Sequence, residues 1–517
     1  MDRGRDENQE FLVPDLVKQF VVYFYRHIME RNVSEIWSMY DVSFHKLSER
    51  YFKTSSWPPV QFVSHLVDND HVFCLLYQEM YHRHLYSKTM PTLEQRARSW
   101  DTYVDLFQII CGATVNMRLP TGWLWDMVDE FCYQAHSYCQ FRGKASRLKP
   151  DDFSLLQRCE AREVWSMEGV HHFLEMLIER SGVVAMLEAE GDKCVADIPE
   201  SVSNVLPLMG YFALLGLSRM KTLLGDYEGA LRALYPVNVH ERKSPMTARI
   251  SSCHIALLYY SGFCYLMLER YTDAARCFNS VLFYIARVKQ GHMRPQQFEQ
   301  VLRKNEQVYA LLALTVALCP RTQKGLEEQV AQNLVSKHKE DLAALARGEE
   351  APLEVLFAYG CPKFVAGGQI DLTQSRNPNT DVHKAQLQRF LDSARRRKHL
   401  PMMKQYLALY STIPLAKLAK LMDMDENELR GVLAGYQDLT TCTTYKAGND
   451  MLSGEPESTA DLVYQLGRDD AGRDIVIVQE TRQPRKHNDV LLRHINKFKE
   501  ITKDLQVAAR GVNPAQA

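Results

Sequence analysis

The sequence predicts a mainly α chain in which a helical N-terminal region and helical repeats run into a winged helix, with one further helix after it. Three observations carry that expectation. The stretch from Leu208 to Val288 contains the same helical hairpin twice. Between 401 and 487, two short helices joined by a tight turn precede β-rich runs. From Asn488 to Ala508 the apolar residues fall on a single stripe.

The first hairpin runs through Leu214 and Leu217 to Leu224-Gly225-Asp226-Tyr227, Ala230 and Leu234. The second lies 44 positions on, through Leu258, Gly262 and Tyr265 to Leu268-Glu269-Arg270-Tyr271, Ala274 and Phe278. Apolar residues at three- and four-residue steps make each half an amphipathic helix. Turns at Gly225-Asp226 and Glu269-Arg270 fold the halves together. Small residues at Ala230, Gly262 and Ala274 let helix axes approach, and Tyr265 and Phe278 fill the neighbouring holes. This alternation of small and large positions is TPR-like (tetratricopeptide-like), with a long inter-repeat loop from Pro236 to Ser252. One such hairpin cannot bury its own apolar face, so the copies must stack on helices to either side.

A chain of 517 residues holds about three domains. An apolar content of 46% and a charged content of 24% are those of a globular protein. Lys plus Arg number 62 against 63 Asp plus Glu, a net charge of -1, so no global field draws nucleic acid or membrane. The twelve cysteines show no Cys-x2-Cys spacing and read as buried thiols of a reducing compartment, the cytoplasm or the nucleus. Met1 to Glu10 is polar and has no apolar core, which is no secretory signal. The longest apolar run, Tyr309 to Cys319, is too short to span a bilayer.

In chain order, 1–10 reads as a short polar tail and 11–150 as an N-terminal helical region. Phe20, Tyr23, Phe24, His27 and Ile28 share one helical face there. Asp68-Asn69-Asp70 caps a helix carrying Phe73, Leu76, Tyr77, Met80 and Tyr81. Pro120 opens another with Trp123, Leu124, Met127, Val128 and Phe131 inward. These Tyr and Trp residues read as core, and their polar tips suggest that part of the surface meets a partner. A basic segment (Arg142, Lys144, Arg147, Lys149) then marks a boundary, and 151–300 holds the repeats. The helical part of the next region spans 301–400. The winged helix spans 401–487. In it Leu415, Leu418 and Leu421 align on one helix, and Asp425-x2-Glu428 is a capping box for the second. Runs at 461–466 and 475–479 are its strands. Residues 488–517 form the terminal amphipathic helix and tail.

Helical repeats leading into a winged helix resemble the PCI-domain family of the proteasome lid, the signalosome and a translation initiation factor. The local text is similar to the subunit L family of eukaryotic translation initiation factor 3. The stretches that carry this are Trp123-Leu124-Trp125-Asp126, Met209-Gly210-Tyr211-Phe212, Leu223-Leu224-Gly225-Asp226-Tyr227 and Lys304-Asn305-Glu306-Gln307. Cys361-Pro362-Lys363-Phe364, Ile413 to Ala419 and His494-Ile495-Asn496-Lys497-Phe498 extend it along nearly the whole chain. The departure is at the N-terminus, where family members carry a longer Tyr- and Asp-rich leader. The resemblance implies a cytoplasmic, non-catalytic scaffold of the initiation factor 3 complex, acting in small-ribosomal-subunit preinitiation complex assembly and mRNA recruitment. It implies subunits K and E as neighbours, contact with the small ribosomal subunit through the complex, an indirect mRNA contact and no membrane. The alternative is a scaffold of a proteasome-lid or signalosome-like complex.

No catalytic, cofactor-binding or metal site is expected, and no cofactor. Glu79/His82 and Glu168/His171 show the Glu-x2-His spacing of di-metal bundles without the supporting Glu helices. His82-x-His84 resembles the start of the metal-isopeptidase motif that accompanies PCI subunits, yet Thr92 and Gln95 stand where its Ser and Asp would be. In the winged helix Asp425, Glu426, Glu428 and Asp438 surround a single Arg430. Arg468 and Arg473 face Asp469, Asp470 and Asp474, which disfavours phosphate contact. The candidate partner site is the terminal helix, with Leu491, Ile495, Phe498 and Leu505 on its stripe and Arg493, Lys497 and Lys499 beside them. From Glu480 to Arg510 there are eight Lys/Arg against four Asp/Glu.

Overall fold

The computed structural model describes residues 13–112, 116–237, 245–288, 295–368, 377–446, 450–460, 462–469, 472–480, 491, 494, 495, 497–499, 501 and 502. The chain is mainly α, with helical repeats and a winged helix. It forms two compact units: Met1–Lys398 with Thr441–Ser458, and His399–Thr440 with Thr459–Ala517.

The first unit opens with α1 (Asp15–Met29), α2 (Val33–Ser38), α3 (Phe44–Tyr51), α4 (His71–Lys88), α5 (Leu93–Gly112) and α6 (Thr121–Arg142). Asp70 caps α4 by accepting from the Phe73 N–H at 2.7 Å. The buried row of α1 runs Val17, Phe20, Val21, Phe24, Ile28. Steps of three and four along that row pass Tyr23 by, and it is 53% exposed. Phe20 meets Trp57 at 5.7 Å and Phe24 meets Trp123 at 5.4 Å, so this end of the core is aromatic. The polar tips of several buried aromatics turn inward. Trp57 donates to Ser48 Oγ at 2.8 Å, Trp165 to the Arg96 carbonyl at 2.9 Å and Tyr77 to the Pro58 carbonyl at 2.8 Å. A buried N–H or O–H without an acceptor is costly, and the core supplies one.

After α7 (Pro150–Ala161), α8 (Met167–Ser181), α9 (Val183–Glu190) and α10 (Lys193–Ala196) the repeats begin. The first copy is α11 (Val205–Leu224) and α12 (Tyr227–Ala233). Past α13 (Pro245–Ala248), the second is α14 (Ser251–Met267) and α15 (Tyr271–Val288). Gly225 ends α11 at φ +86°, and Asp226 caps α12 by accepting from the Gly229 N–H at 2.9 Å. In the second copy Glu269 takes the left-handed position at φ +59°. Gly262 packs under Phe278, where an added Cβ would come within 2.6 Å of the ring. The apolar helix α16 (Pro295–Leu318) lies inside this stack, with Val308, Leu311, Leu312 and Leu314 fully buried. α17 (Glu328–Ala346), α18 (Ala351–Gly360) and α19 (Pro378–Arg396) follow.

Between α18 and α19 an extended strap runs along α6. The carbonyls of Lys363, Phe364 and Ala366 meet His136, Gln140 and Arg142 at 3.0, 3.2 and 2.9 Å. Arg142 is therefore a buried structural residue that also donates to Glu160 at 3.1 Å.

The second unit starts with α20 (Leu400–Leu407), β1 (Thr412–Pro414), α21 (Leu415–Met422) and α22 (Glu426–Thr440). Asp425 accepts from the Asn427 N–H at 3.1 Å, a local Asx cap in place of the reciprocal box. The chain then contributes a hairpin, β2 (Thr441–Thr444) with β3 (Glu455–Ser458), to the first unit, and returns for β4 (Leu462–Arg468) and β5 (Asp474–Glu480). The winged-helix sheet is antiparallel in the order β1-β5-β4, with Ile413 opposite Val476 and Leu466 opposite Val476. Its core is Met403, Leu407, Ile413, Leu418, Leu429, Leu433 and Val476, and Tyr464 closes it by donating to the Leu433 carbonyl at 2.6 Å.

The hairpin is held in the first unit by four residues at and around the second repeat's turn. Arg270 donates to the carbonyls of Met451, Leu452 and Ser453 at 3.0, 2.7 and 3.1 Å. It also binds Asp273 at 2.7 Å and lies over the Tyr265 ring. Asp273, with no exposed surface, accepts from the Tyr445 N–H at 3.1 Å. Tyr265 O–H donates to Met451, and Arg276 to the Tyr445 carbonyl at 2.9 Å.

Candidate partner-docking surfaces

The expected terminal stripe is exposed wherever it is described. Leu491, Ile495 and Phe498 are 56, 46 and 67% accessible, and Ile501, absent from the expected set, adds 46%. A helix places residues three and four apart on one face, so 491, 495, 498 and 501–502 form a continuous row. Thr502 satisfies its hydroxyl on the Phe498 carbonyl at 2.7 Å, which keeps the row apolar. Lys497 and Lys499 are exposed beside it. Arg493 and Leu505 lie outside the described residues.

A second apolar surface of this unit is the strand β4. It has β5 on one side and no strand on the other among the described residues. Val463 and Leu466 stand out of it, 43 and 52% exposed. Three positions apart on a strand, they lie on its two opposite faces. The charges of the winged helix are paired among themselves. Arg430 meets Asp474, Arg468 Nε lies 3.2 Å from the same carboxylate, and Arg473 lies 2.8 Å from Asp469. With Asp425, Glu426 and Glu428 exposed on α22, the helix that would enter a nucleic-acid groove is acidic.

The histidine spacings resolve into packing. Glu79 is buried and accepts from Tyr103, Trp123 and Arg83, and His82 meets Thr102 at 3.3 Å. Burial pushes His82 down to about 3 and His84 to about 4, so both imidazoles are neutral in the fold. Thr92 and Gln95 exchange backbone-to-side-chain bonds at 2.9 and 3.3 Å, a capping box that starts α5. Among the described residues no group of three or more His, Cys, Asp or Glu side chains converges as metal ligands would. A cleft lined by Trp125, Val128, Asp129, Leu215, Arg219 and Tyr260 has about 10 Å³ of free interior, room for one water.

A family profile described as RNA polymerase I-associated factor PAF67 matches residues 95–498. Eukaryotic translation initiation factor 3 subunit L of Nematostella vectensis is 37% identical over 510 residues, which covers 97% of this chain and 95% of that protein. The chain belongs to the subunit L family. Subunit L of Danio rerio is 32% identical over 544 residues, and subunit L of Homo sapiens 31% over 543. These matches cover 98% of this chain and 91 and 93% of the two relatives, so the likeness to subunit L includes both units. The exposed rows on the terminal helix and β4 are thus surfaces of a translation initiation factor family. No helix among the described residues is long and apolar enough to cross a membrane.

Proposed function

We propose that the chain is a non-catalytic scaffold subunit of the translation initiation factor 3 complex. It acts in preinitiation complex assembly on the small ribosomal subunit and in mRNA recruitment, through protein contacts of its PCI region, in the cytoplasm. Subunits K and E are its neighbours, and mRNA contact is indirect. The observation that supports this reading is the terminal row of Leu491, Ile495, Phe498 and Ile501, apolar and open on a helix that follows a winged helix with paired charges. Four large apolar side chains in one row are a surface for partner helices. The free edge of β4 offers a second contact of the strand-pairing kind.

The test is affinity purification of the tagged full chain and of variants, with identification of the bound subunits. Replacing Ile495 and Phe498 by Asp is expected to deplete the other subunits. Reversing Lys497 and Lys499 to Glu should do less, because apolar burial outweighs screened surface charge. Co-purification with proteasome-lid or signalosome subunits would replace this reading with its alternative. Undiminished incorporation of the Asp variant would remove the terminal helix from it.

A further inference from the structure

We infer that the outer face of α18, together with Lys304 and Lys363, is a docking surface for an acidic segment of a partner protein, one carrying a carboxylate within a helical turn of a large apolar side chain. Val355 and Tyr359 stand one turn apart on α18 and are 67 and 52% exposed. The Tyr359 carbonyl accepts from Gln307 on α16 at 3.4 Å, and Lys304 lies one turn before Gln307, so the apolar pair and the lysine share one surface.

Lys304 is half-buried, and its Nζ sits 3.6 Å from the centre of the Tyr259 ring. That ring is fixed, because Tyr259 O–H donates to the Gly360 carbonyl at 2.8 Å where α18 ends. Among the described residues Lys304 has no hydrogen bond and no ion pair. The nearby carboxylates are engaged: Glu306 holds Lys337, and Asp129 holds Arg219. Lys363, three residues beyond Gly360, is exposed, and among the described residues only its backbone carbonyl is used, by His136. Burial, and then the like charge of Arg219, brings the Lys304 ammonium down to about 8. A carboxylate arriving there supplies the missing acceptor and reverses that shift.

An acidic protein fits this chemistry better than RNA does. Phosphate backbones are held by arrays of exposed cations, and here there are two beside an aliphatic valine. Glu354 is also exposed on this face, but it lies six residues before Gly360, nearly two turns from the end of α18 where Lys304 sits. One carboxylate on Lys304 with an apolar anchor on Val355 and Tyr359 therefore keeps the partner's acid away from it.

This rests on the reading that the chain assembles with other subunits, and the experiment separates the two. The assembled complex is treated with a water-soluble carbodiimide, which joins lysine to carboxylate without a spacer, and cross-linked peptides are sequenced. The expected result is an isopeptide from Lys304 or Lys363 to an Asp or Glu of another chain. Lys304→Met keeps the stem on Tyr259 and is expected to abolish the Lys304 link. It should also lower retention of that partner about tenfold while leaving the thermal melt unchanged. Cross-links from Lys304 only to Asp129, none at either lysine, or ultraviolet cross-linking of this peptide to RNA would overturn the proposal. If the wild-type chain entered no complex at all, the scaffold reading itself would fall.

Discussion

Arg270→Met tests the hairpin clamp most directly. The side chain is 5% exposed and supplies hydrogen bonds to three carbonyls and to Asp273. Methionine keeps much of the stem packing on Tyr265 but leaves three carbonyls without their donor and a fully buried carboxylate without its closest cation. Arg276 remains at 3.4 Å but is half exposed, so it compensates only in part. Breaking a buried ion pair from one side costs about 3–5 kcal/mol. The loss is local, so native-state hydrogen exchange is the assay. Amides of 441–445 and 451–458 are expected to exchange about 150- to 5,000-fold faster, the equivalent of that cost, while those of α11 and α14 keep their protection. In a double-mutant cycle with Asp273→Asn, the two changes together should cost less than their sum, since each removes the other's partner. A change below about 1 kcal/mol, or exchange that rises evenly over the first unit, would refute the clamp.

Three further outcomes are expected. Gly262→Leu and Ala274→Leu should each lower the unfolding midpoint by the equivalent of about 1–3 kcal/mol, because Phe278 and its neighbours leave no room; equal stability would mean that the repeat register is wrong. Glu269 is only 32% exposed and holds Arg396 and Arg397, so Glu269→Lys should cost more than Glu269→Gly, which relieves the left-handed backbone; denaturant titration of both gives the order. Burial raises Glu130 to about 7 from 4.5, so the fold binds a proton there that the unfolded chain releases, and this group favours the fold more as pH falls from 7 towards 4.5. Glu130→Gln should accordingly be about 3 kcal/mol more stable than wild type at pH 8 and indistinguishable below about pH 4, whereas His82 and His84, held neutral, make the fold lose stability below 6.5 in both proteins.

The repeats were legible because their signals are local. Gly225 and Asp226 announce a turn, and small residues at fixed spacing announce close helices. The stripe of the terminal helix is a local signal too; among the described residues Leu491, Ile495 and Phe498 are exposed, and Ile501 joins them. The hairpin clamp was not legible. Arg270 reads as a turn residue, and its partners are carbonyl oxygens, which every residue carries. Nothing in the text of Thr441 to Ser458 says that this segment packs into the first unit. The aromatic tips are opaque in a related way, since Ser48, Glu79 and the Arg96 carbonyl are identifiable as their acceptors only once the chain is folded. The surface proposed at Lys304 is opaque because a lysine without a partner among the described residues looks like any other until its neighbours are seen to be occupied.

The clamp also sets an order of events during synthesis. Arg270 and the Met451 carbonyl are 181 positions apart. At roughly 5–20 residues per second, the ribosome needs roughly 9 to 36 s after adding Arg270 to deliver its last acceptors. Through that interval every helix of the second repeat can form, yet the guanidinium and Asp273 face no hairpin. A chain terminated between Val288 and Met451 is therefore born with complete repeats and an open, charged gap in their interior, which distinguishes it from a finished chain.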